Sequence, residues 1–271
     1  MSQITLYLDD ATQALVEQAA QALARAMAPH WPKVVILRQD MAKALGVKPD
    51  AVAGHSLGEF SALVVAGALS FEDGLRLVSK RAMAMQKACE ATPSTMAAVL
   101  ALPDEKVEEI CASIEGEVVV CANYNCPGQI VITGAADAVG EAGDACKEAG
   151  AKRVVPLKVS GPFHSALLAE AGKKLGEALE DVTIQPITIP YLTNVTADYV
   201  KDPADVKDYL VRQVSSSVRW QQTIERLIAD GAEEFVEIGP GRSLSGFMRK
   251  INREVTTCNI DKMEDFNKYV N

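Results

Sequence analysis

The sequence predicts an α/β protein built on a parallel sheet, with a compact β-α-β-β-α-β module set into its middle. Three observations predict it. The 271-residue chain is 48% hydrophobic but only 5% aromatic, and its commonest apolar residues are the small and branched ones that fill sheets covered by helices. A short apolar strand, Asp50-Ala51-Val52-Ala53, passes through Gly54-His55-Ser56-Leu57-Gly58 into helix formers from Glu59 to Ala66, a strand–turn–helix pattern. Between residues 94 and 157 strand and helix signals alternate in split-βαβ order.

Taken in order, Ile4–Leu8 reads as a strand and Asp9-Asp10 as the cap of a helix whose Leu15, Ala19, Leu23 and Ala26 share a face. Pro29 and Pro32 end it. Val34, Leu37, Met41 and Leu45 fit a helix closed by Gly46 better than a strand. After the 54–58 turn, Ser70 followed three residues later by Asp73 marks a helix start. Leu75, Leu77, Val78, Arg81, Met83 and Met85 lie on that helix, where the methionines read as packing.

The module runs as strand Met96–Leu100, helix Asp104–Ile114, strand Val118–Asn123, a turn at Asn125–Gly128, strand Gln129–Thr133, helix Ala135–Ala149 and strand Arg153–Leu157. Sixty-odd residues of this kind in mid-chain read as an insertion into a larger α/β domain. Thereafter come helix Ser165–Leu179, strand Ile187–Leu192, helices Asp205–Val214 and Trp220–Asp230, a buried strand Glu234–Ile238 ending in Gly239-Pro240-Gly241, helix Ser243–Ile251 and strand Val255–Ile260.

Composition narrows the function. A net charge of −9 argues against general nucleic-acid binding. No apolar run is long enough to span a bilayer, and Met1–Thr5 lacks a basic signal region, so a cytoplasmic location is expected. The six cysteines form no C-x-x-C pair and read as small core residues, with no metal site or disulfide framework expected.

Gly54-His55-Ser56-Leu57-Gly58 is a G-x-S-x-G sequence. Between a strand and a helix it holds a serine Oγ clear of the sheet, with the next N–H, that of Leu57, aimed where an acyl oxyanion would form. The same five residues also suit a merely structural tight turn. A serine nucleophile needs a base, and only His30, His55 and His164 exist. His30 sits between Pro29 and Trp31 as a surface residue, and His55 neighbours Ser56 with its side chain pointing away. His164 lies where the module returns to the main domain, either as the base or as an ordinary neighbour of a helix cap.

Four segments occur together and in order: Gly54-His55-Ser56-Leu57-Gly58-Glu59, Asn123-Tyr124-Asn125-Cys126-Pro127-Gly128-Gln129, Pro162-Phe163-His164-Ser165 and Glu237-Ile238-Gly239-Pro240-Gly241. On these the chain resembles the malonyl-CoA:acyl carrier protein transacylases of fatty-acid synthesis and the related acyltransferase domains of polyketide synthases, from residue 47 to the C-terminus. The resemblance implies an α/β-hydrolase-like parallel-sheet core (residues 1–93 and 158–271) with an inserted ferredoxin-like subdomain (94–157). It implies a ping-pong transfer of malonyl from malonyl-CoA to the phosphopantetheine thiol of acyl carrier protein. Ser56 would be the nucleophile, His164 the base and later the acid, and the Leu57 N–H an oxyanion donor.

Arg81, otherwise one basic residue among many, would grip the malonyl carboxylate with its planar guanidinium. Gln213, otherwise an exposed helix glutamine, would orient His164 through its backbone carbonyl. Phe163 matches an aromatic that accompanies malonyl over methylmalonyl preference. No cofactor, nucleic acid or membrane is implied, and a monomer is expected. An acidic carrier would dock on basic residues, with Lys152, Arg153, Lys173, Lys174, Arg249 and Lys250 as candidates.

The opening segment departs from the family. After Ile4–Leu8 comes Asp9-Asp10-Ala11-Thr12-Gln13 in place of a Gly-Gln-Gly-Ser-Gln loop, whose first glutamine supplies a second oxyanion donor; Gln13 stands nearby. Two other readings stay open. A serine esterase or thioesterase would require an acid partner for His164, and a weakened acyl- or carrier-binding homologue would fit the missing loop.

Overall fold

The computed structural model describes residues 49–90, 93–159 and 161–261, with 265 and 268. The expected strand at 4–8, the helices around 15–26 and 34–45, Gln13 and His30 lie outside these residues.

Strand β1 (Val52–Ala53) pairs in parallel with β6 (Tyr191–Leu192) and hands over, through residues 54–57, to helix α1 (Gly58–Val65). Helix α2 (Phe71–Cys89) begins as the sequence predicts: the Ser70 side chain accepts from the Asp73 N–H at 3.0 Å, filling one of the donors that a helix start leaves open. The main core joins Phe60 and Leu63 of α1, Leu77, Val78 and Met85 of α2, Leu175 and Leu179 of α5 (Ala169–Glu180), and Leu210 of α6 (Val206–Gln213). Helix α5 follows a short 3₁₀ turn, Ala166–Leu168, where one continuous helix from Ser165 is expected.

Residues 94–156 form a four-stranded antiparallel sheet ordered β3-β4-β2-β5, from β2 (Ser94–Leu100), β3 (Val119–Cys126), β4 (Gln129–Ala135) and β5 (Arg153–Pro156). Helices α3 (Asp104–Ser113) and α4 (Ala136–Glu148) bury their apolar stripes in a core on one face, with Ala97, Val99, Ile130 and Ile132. On the other face Met96, Ala98, Ala122 and Val131 receive Leu157, Val159 and Phe163. Period-two alternation thus sends successive residues of β2 into two different cores. Phe163 also packs on the main core, so it joins the two bodies.

Helix α7 (Trp220–Ala229), β7 (Glu234–Ile238), α8 (Ser243–Ile251) and β8 (Thr256–Ile260) complete the described chain, β7 and β8 being parallel. The parallel pairing expected of the core appears among the described residues as two separate ladders, β1–β6 and β7–β8.

Three local expectations are corrected. The strand expected over Ile187–Leu192 shrinks to Tyr191–Leu192, because Pro186 and Pro190 lack the N–H a continuous ladder needs. Asn125 and Cys126, expected in a turn, belong to β3; the turn is only Pro127-Gly128, with φ 69° at Gly128. The register of β3 slips against β4 at Ala122 and Asn125, two bulges of the kind that re-aim side chains. Strand β7, expected to be buried, has Phe235 to Ile238 half-buried.

Candidate active site

The turn from β1 to α1 is tight because Gly54 lies against Gly58. A Cβ on Gly54 would fall 1.9 Å from the Gly58 carbonyl oxygen, whereas one on Gly58 would meet nothing. Only the first glycine is therefore sterically required. The left-handed backbone falls on Ser56 itself, with φ 52°, an uncommon conformation for a residue with a β-carbon. It is held from outside. Asn194 accepts the Ser56 N–H at 2.7 Å and donates its Nδ2 to the Gly54 carbonyl at 2.6 Å. The Leu57 N–H, at the mouth of α1, donates to none of the described residues.

His164 Nε2 is 2.8 Å from Ser56 Oγ. Its Nδ1 faces two carbonyl oxygens, of Gln213 at 2.9 Å and Ser216 at 3.1 Å. Both can only accept, so Nδ1 carries the proton, and in the neutral ring Nε2 accepts the Ser56 hydroxyl. Burial and then the Arg81 charge hold the imidazole pKa down to about 3, against the opposite pull of the Gln213 and Ser216 carbonyls. The ring is a neutral base aimed at a hydroxyl, oriented by main-chain carbonyls where a protease would use a carboxylate. His164 also has a left-handed backbone, φ 62°.

Arg81, buried on α2, donates from Nη2 to Ser56 Oγ at 3.1 Å and to Gln213 Oε1 at 3.2 Å. Its Nε finds no partner among the described residues. Burial lowers its pKa to about 10, partly offset by the charge of Glu59, and it stays a cation near neutrality. Gln213 is a hub rather than an exposed helix residue. Besides its carbonyl on His164, its Nε2 donates to the Ser56 carbonyl at 2.7 Å and to Glu59 Oε2 at 2.8 Å.

The structure thus brings together all five residues singled out, Ser56, Leu57, Arg81, His164 and Gln213. It adds others that sequence reasoning missed. The Glu59 carboxylate lies fully buried beneath them, accepting from the Tyr191 hydroxyl, the Asn194 N–H and Gln213 Nε2. Burial raises its pKa, while those donors act the other way. Its signal was available: an acid four residues before the core residue Leu63, on the apolar side of a helix. Asn194 follows a buried strand with nothing in its neighbours to mark it.

His55 points away from Ser56, as expected. It hydrogen-bonds Asn125 Oδ1 through Nε2 at 2.9 Å and packs 5.6 Å from the Trp220 ring; burial lowers its pKa. Of the basic candidates, Lys173 and Lys174 are paired on their own helix with Glu170 and Glu177, and Lys250 donates to Gln129. Among the described residues no His, Cys, Asp and Glu side chains cluster to hold a metal ion, and no helix is long and apolar enough to cross a membrane.

Residues 18–260 match the family model for the acyl transferase domain. The malonyl CoA-acyl carrier protein transacylase of Bacillus subtilis (strain 168) is 46% identical over 224 residues, 82% of this chain and 71% of that protein. That of Haemophilus influenzae is 42% identical over 222 residues, with the same shares covered. Among solved structures, an acyl carrier protein S-malonyltransferase from Vibrio cholerae superposes with a TM-score of 0.83 at 35% identity, over 94% of this chain and 91% of that one. A malonyl-transacylase in complex with its type II PKS acyl-carrier protein gives 0.83 at 34% identity, over 96% and 80%. With Ser56, His164 and Arg81 in one hydrogen-bonded cluster and these likenesses spanning most of its length, the chain belongs to the acyl transferase family, among the malonyl-CoA:acyl carrier protein transacylases.

Proposed function

We propose that this protein moves a malonyl group from malonyl-CoA to the phosphopantetheine thiol of acyl carrier protein through a malonyl-Ser56 ester. One observation carries the reading: Ser56 Oγ has a neutral imidazole at 2.8 Å on one side and a buried guanidinium at 3.1 Å on the other. That pairs a nucleophile and its base with a partner for a carboxylate on the acyl group.

In the first half-reaction Oγ attacks the thioester carbon as its proton passes to His164 Nε2. The carbonyl oxygen takes the displaced electron pair and is met by the Leu57 N–H. The intermediate collapses by breaking the C–S bond, and the CoA sulfur leaves with the proton from Nε2. In the second half the carrier thiol gives its proton to Nε2 and attacks the ester, and the proton returns to Oγ. Arg81 holds the malonyl carboxylate throughout by two parallel hydrogen bonds. Every proton is handled by His164, so the chemistry as written needs no cofactor. Phe163, packed between the two cores, favours malonyl by crowding an α-methyl branch.

The reading extends to architecture. Residues 1–93 and 158–271 would be an α/β-hydrolase-like core and 94–157 a ferredoxin-like subdomain, which the antiparallel order β3-β4-β2-β5 with both helices on one face supports. The protein would act as a cytoplasmic monomer, with malonyl-CoA and carrier as its partners and neither nucleic acid nor membrane.

Intact mass spectrometry tests the reaction. Malonyl-CoA should add one malonyl group to the protein but not to Ser56→Ala, and acyl carrier protein should then remove it and gain the same mass. An adduct lost to water without labelling the carrier would make the protein a hydrolase. The absence of any adduct would sink the transfer reading.

A further inference from the structure

The guanidinium of Arg81 makes a bond that works against transfer chemistry. Ser56 Oγ has one proton and two lone pairs. The proton goes to His164 Nε2, and one lone pair accepts from Arg81 Nη2. That bond draws electron density from Oγ and so weakens its attack on a thioester, and the attack creates an imidazolium two hydrogen bonds from the cation. The negative charge of the intermediate forms near the Leu57 N–H, so Arg81 at Oγ gains nothing from it.

We propose that the free carboxylate of the acyl group releases the nucleophile, by drawing Arg81 off Ser56 Oγ and neutralising the guanidinium beside the imidazolium forming on His164. This rests on the reading of Arg81 as the carboxylate partner. Malonyl selection then lies in the rate of acylation as well as in binding, because an acetyl group leaves Arg81 where it stands.

The contacts of Arg81 suit such an exchange. Nη2 is shared between two acceptors at 3.1 and 3.2 Å, both neutral and at the long end of hydrogen bonding. Nε, buried, has no partner among the described residues. A carboxylate offers shorter, charge-assisted bonds. Of the other groups facing His164, only His55, from the turn, acts in the same direction and less strongly, its own charged form being disfavoured by burial; Glu59, from α1, lies behind the Gln213 amide, and the 213–216 segment presents carbonyl oxygens. The Arg81 charge is itself one cause of the depressed imidazole basicity.

Rapid-quench single-turnover acylation, read by intact mass on the full chain, tests the switch with saturating malonyl-CoA and acetyl-CoA. The limiting rate with malonyl-CoA should exceed that with acetyl-CoA by about tenfold or more, the order expected for two like charges so placed in a partly dry site. Sodium formate, compared with sodium chloride at equal ionic strength, should speed acetylation saturably, since formate and an acetyl group together imitate malonyl. In Arg81→Ala the two limiting rates should converge, acetylation rising, and formate should do nothing. Equal limiting rates in the unmodified chain, or no response to formate, would overturn the switch and leave Arg81 as a clamp. Unchanged donor preference in Arg81→Ala would remove Arg81 from the site, and the switch with it. The donor comparison and the formate arm use no variant, so a folding defect in Arg81→Ala leaves both decisive.

Discussion

Ser56 and His164 adopt φ angles of 52° and 62°, where a β-carbon crowds the neighbouring carbonyl. At Ser56 the strain is held by Asn194, which grips the turn at two points. Ser56→Gly should therefore be more stable to urea than Ser56→Ala by about 1 kcal/mol, with neither forming an adduct. Asn194→Ala should lower stability by about 1–3 kcal/mol, since it leaves a Ser56 N–H and a Gly54 carbonyl unpaired; a fall in acylation rate larger than the loss of folded protein would mark the misplaced nucleophile. Acid should act through His164 and His55, whose pKa values are lowered in the fold. Below about pH 6.5 the unfolded chain binds protons that these rings refuse, so the stability they confer is present above that pH and lost as it falls toward the folded value. Glu59, raised by burial, has the opposite sign: it favours the folded state at low pH, and that contribution is lost as pH rises. The discriminating measurement is the urea midpoint between pH 7.5 and 5.5, which His164→Gln should make less steep. At this scale Ser56 and His164 could be singled out as candidates, because a strand–turn–helix serine and a histidine at a junction are local features, and the fold brings them within 2.8 Å. Arg81 and Gln213 were visible only through family likeness, since their roles depend on α2 and α6 meeting at Ser56. Asn194 came from 138 residues away with no local mark.

Helix α2 carries Arg81, and its start is fixed by Ser70. Ser70→Ala should cost about 1 kcal/mol in thermal or urea unfolding, as an N-cap loss does, with malonyl preference unchanged because Arg81 lies three turns inside the helix. Helices α5 and α6 meet at Gly172, where an added Cβ would stand 2.9 Å from the Val211 carbonyl oxygen. Gly172→Val should push α6 outward and carry with it the Gln213 carbonyl that holds His164, so acylation should suffer along with stability. Elements with their own punctuation were legible from sequence, as with the helix start at Ser70 and Asp73. Ile187–Ile189 misled because β-branched residues suggest a ladder that the flanking prolines forbid. The extra residues in β3 were hidden because a bulge is a matter of register, which a single strand's sequence does not contain.

Across the whole molecule, the antiparallel module and the main core are joined by more than covalent linkers. The Tyr124 N–H donates to the Val218 carbonyl at 2.9 Å, the Val218 N–H to the Ala122 carbonyl at 2.8 Å, and Ser217 Oγ to the Cys121 carbonyl at 2.6 Å. His55 and Asn125 add a side-chain bond across the same seam. The uniformly apolar run Met96–Leu100 gave no sign that the two faces of β2 serve different cores, one of them covered by Phe163 beside His164. The connecting residues 216–218 begin with the carbonyl that helps hold His164. Calorimetry should accordingly show one unfolding transition rather than two, and the amides of Tyr124 and Val218 should exchange with deuterium only on global opening. For engineering, this seam means that residues 94–157 are not an interchangeable cassette. A graft of that stretch from a relative should recover full turnover only when residues 213–218 travel with it, because the same six residues fasten the module and aim the imidazole.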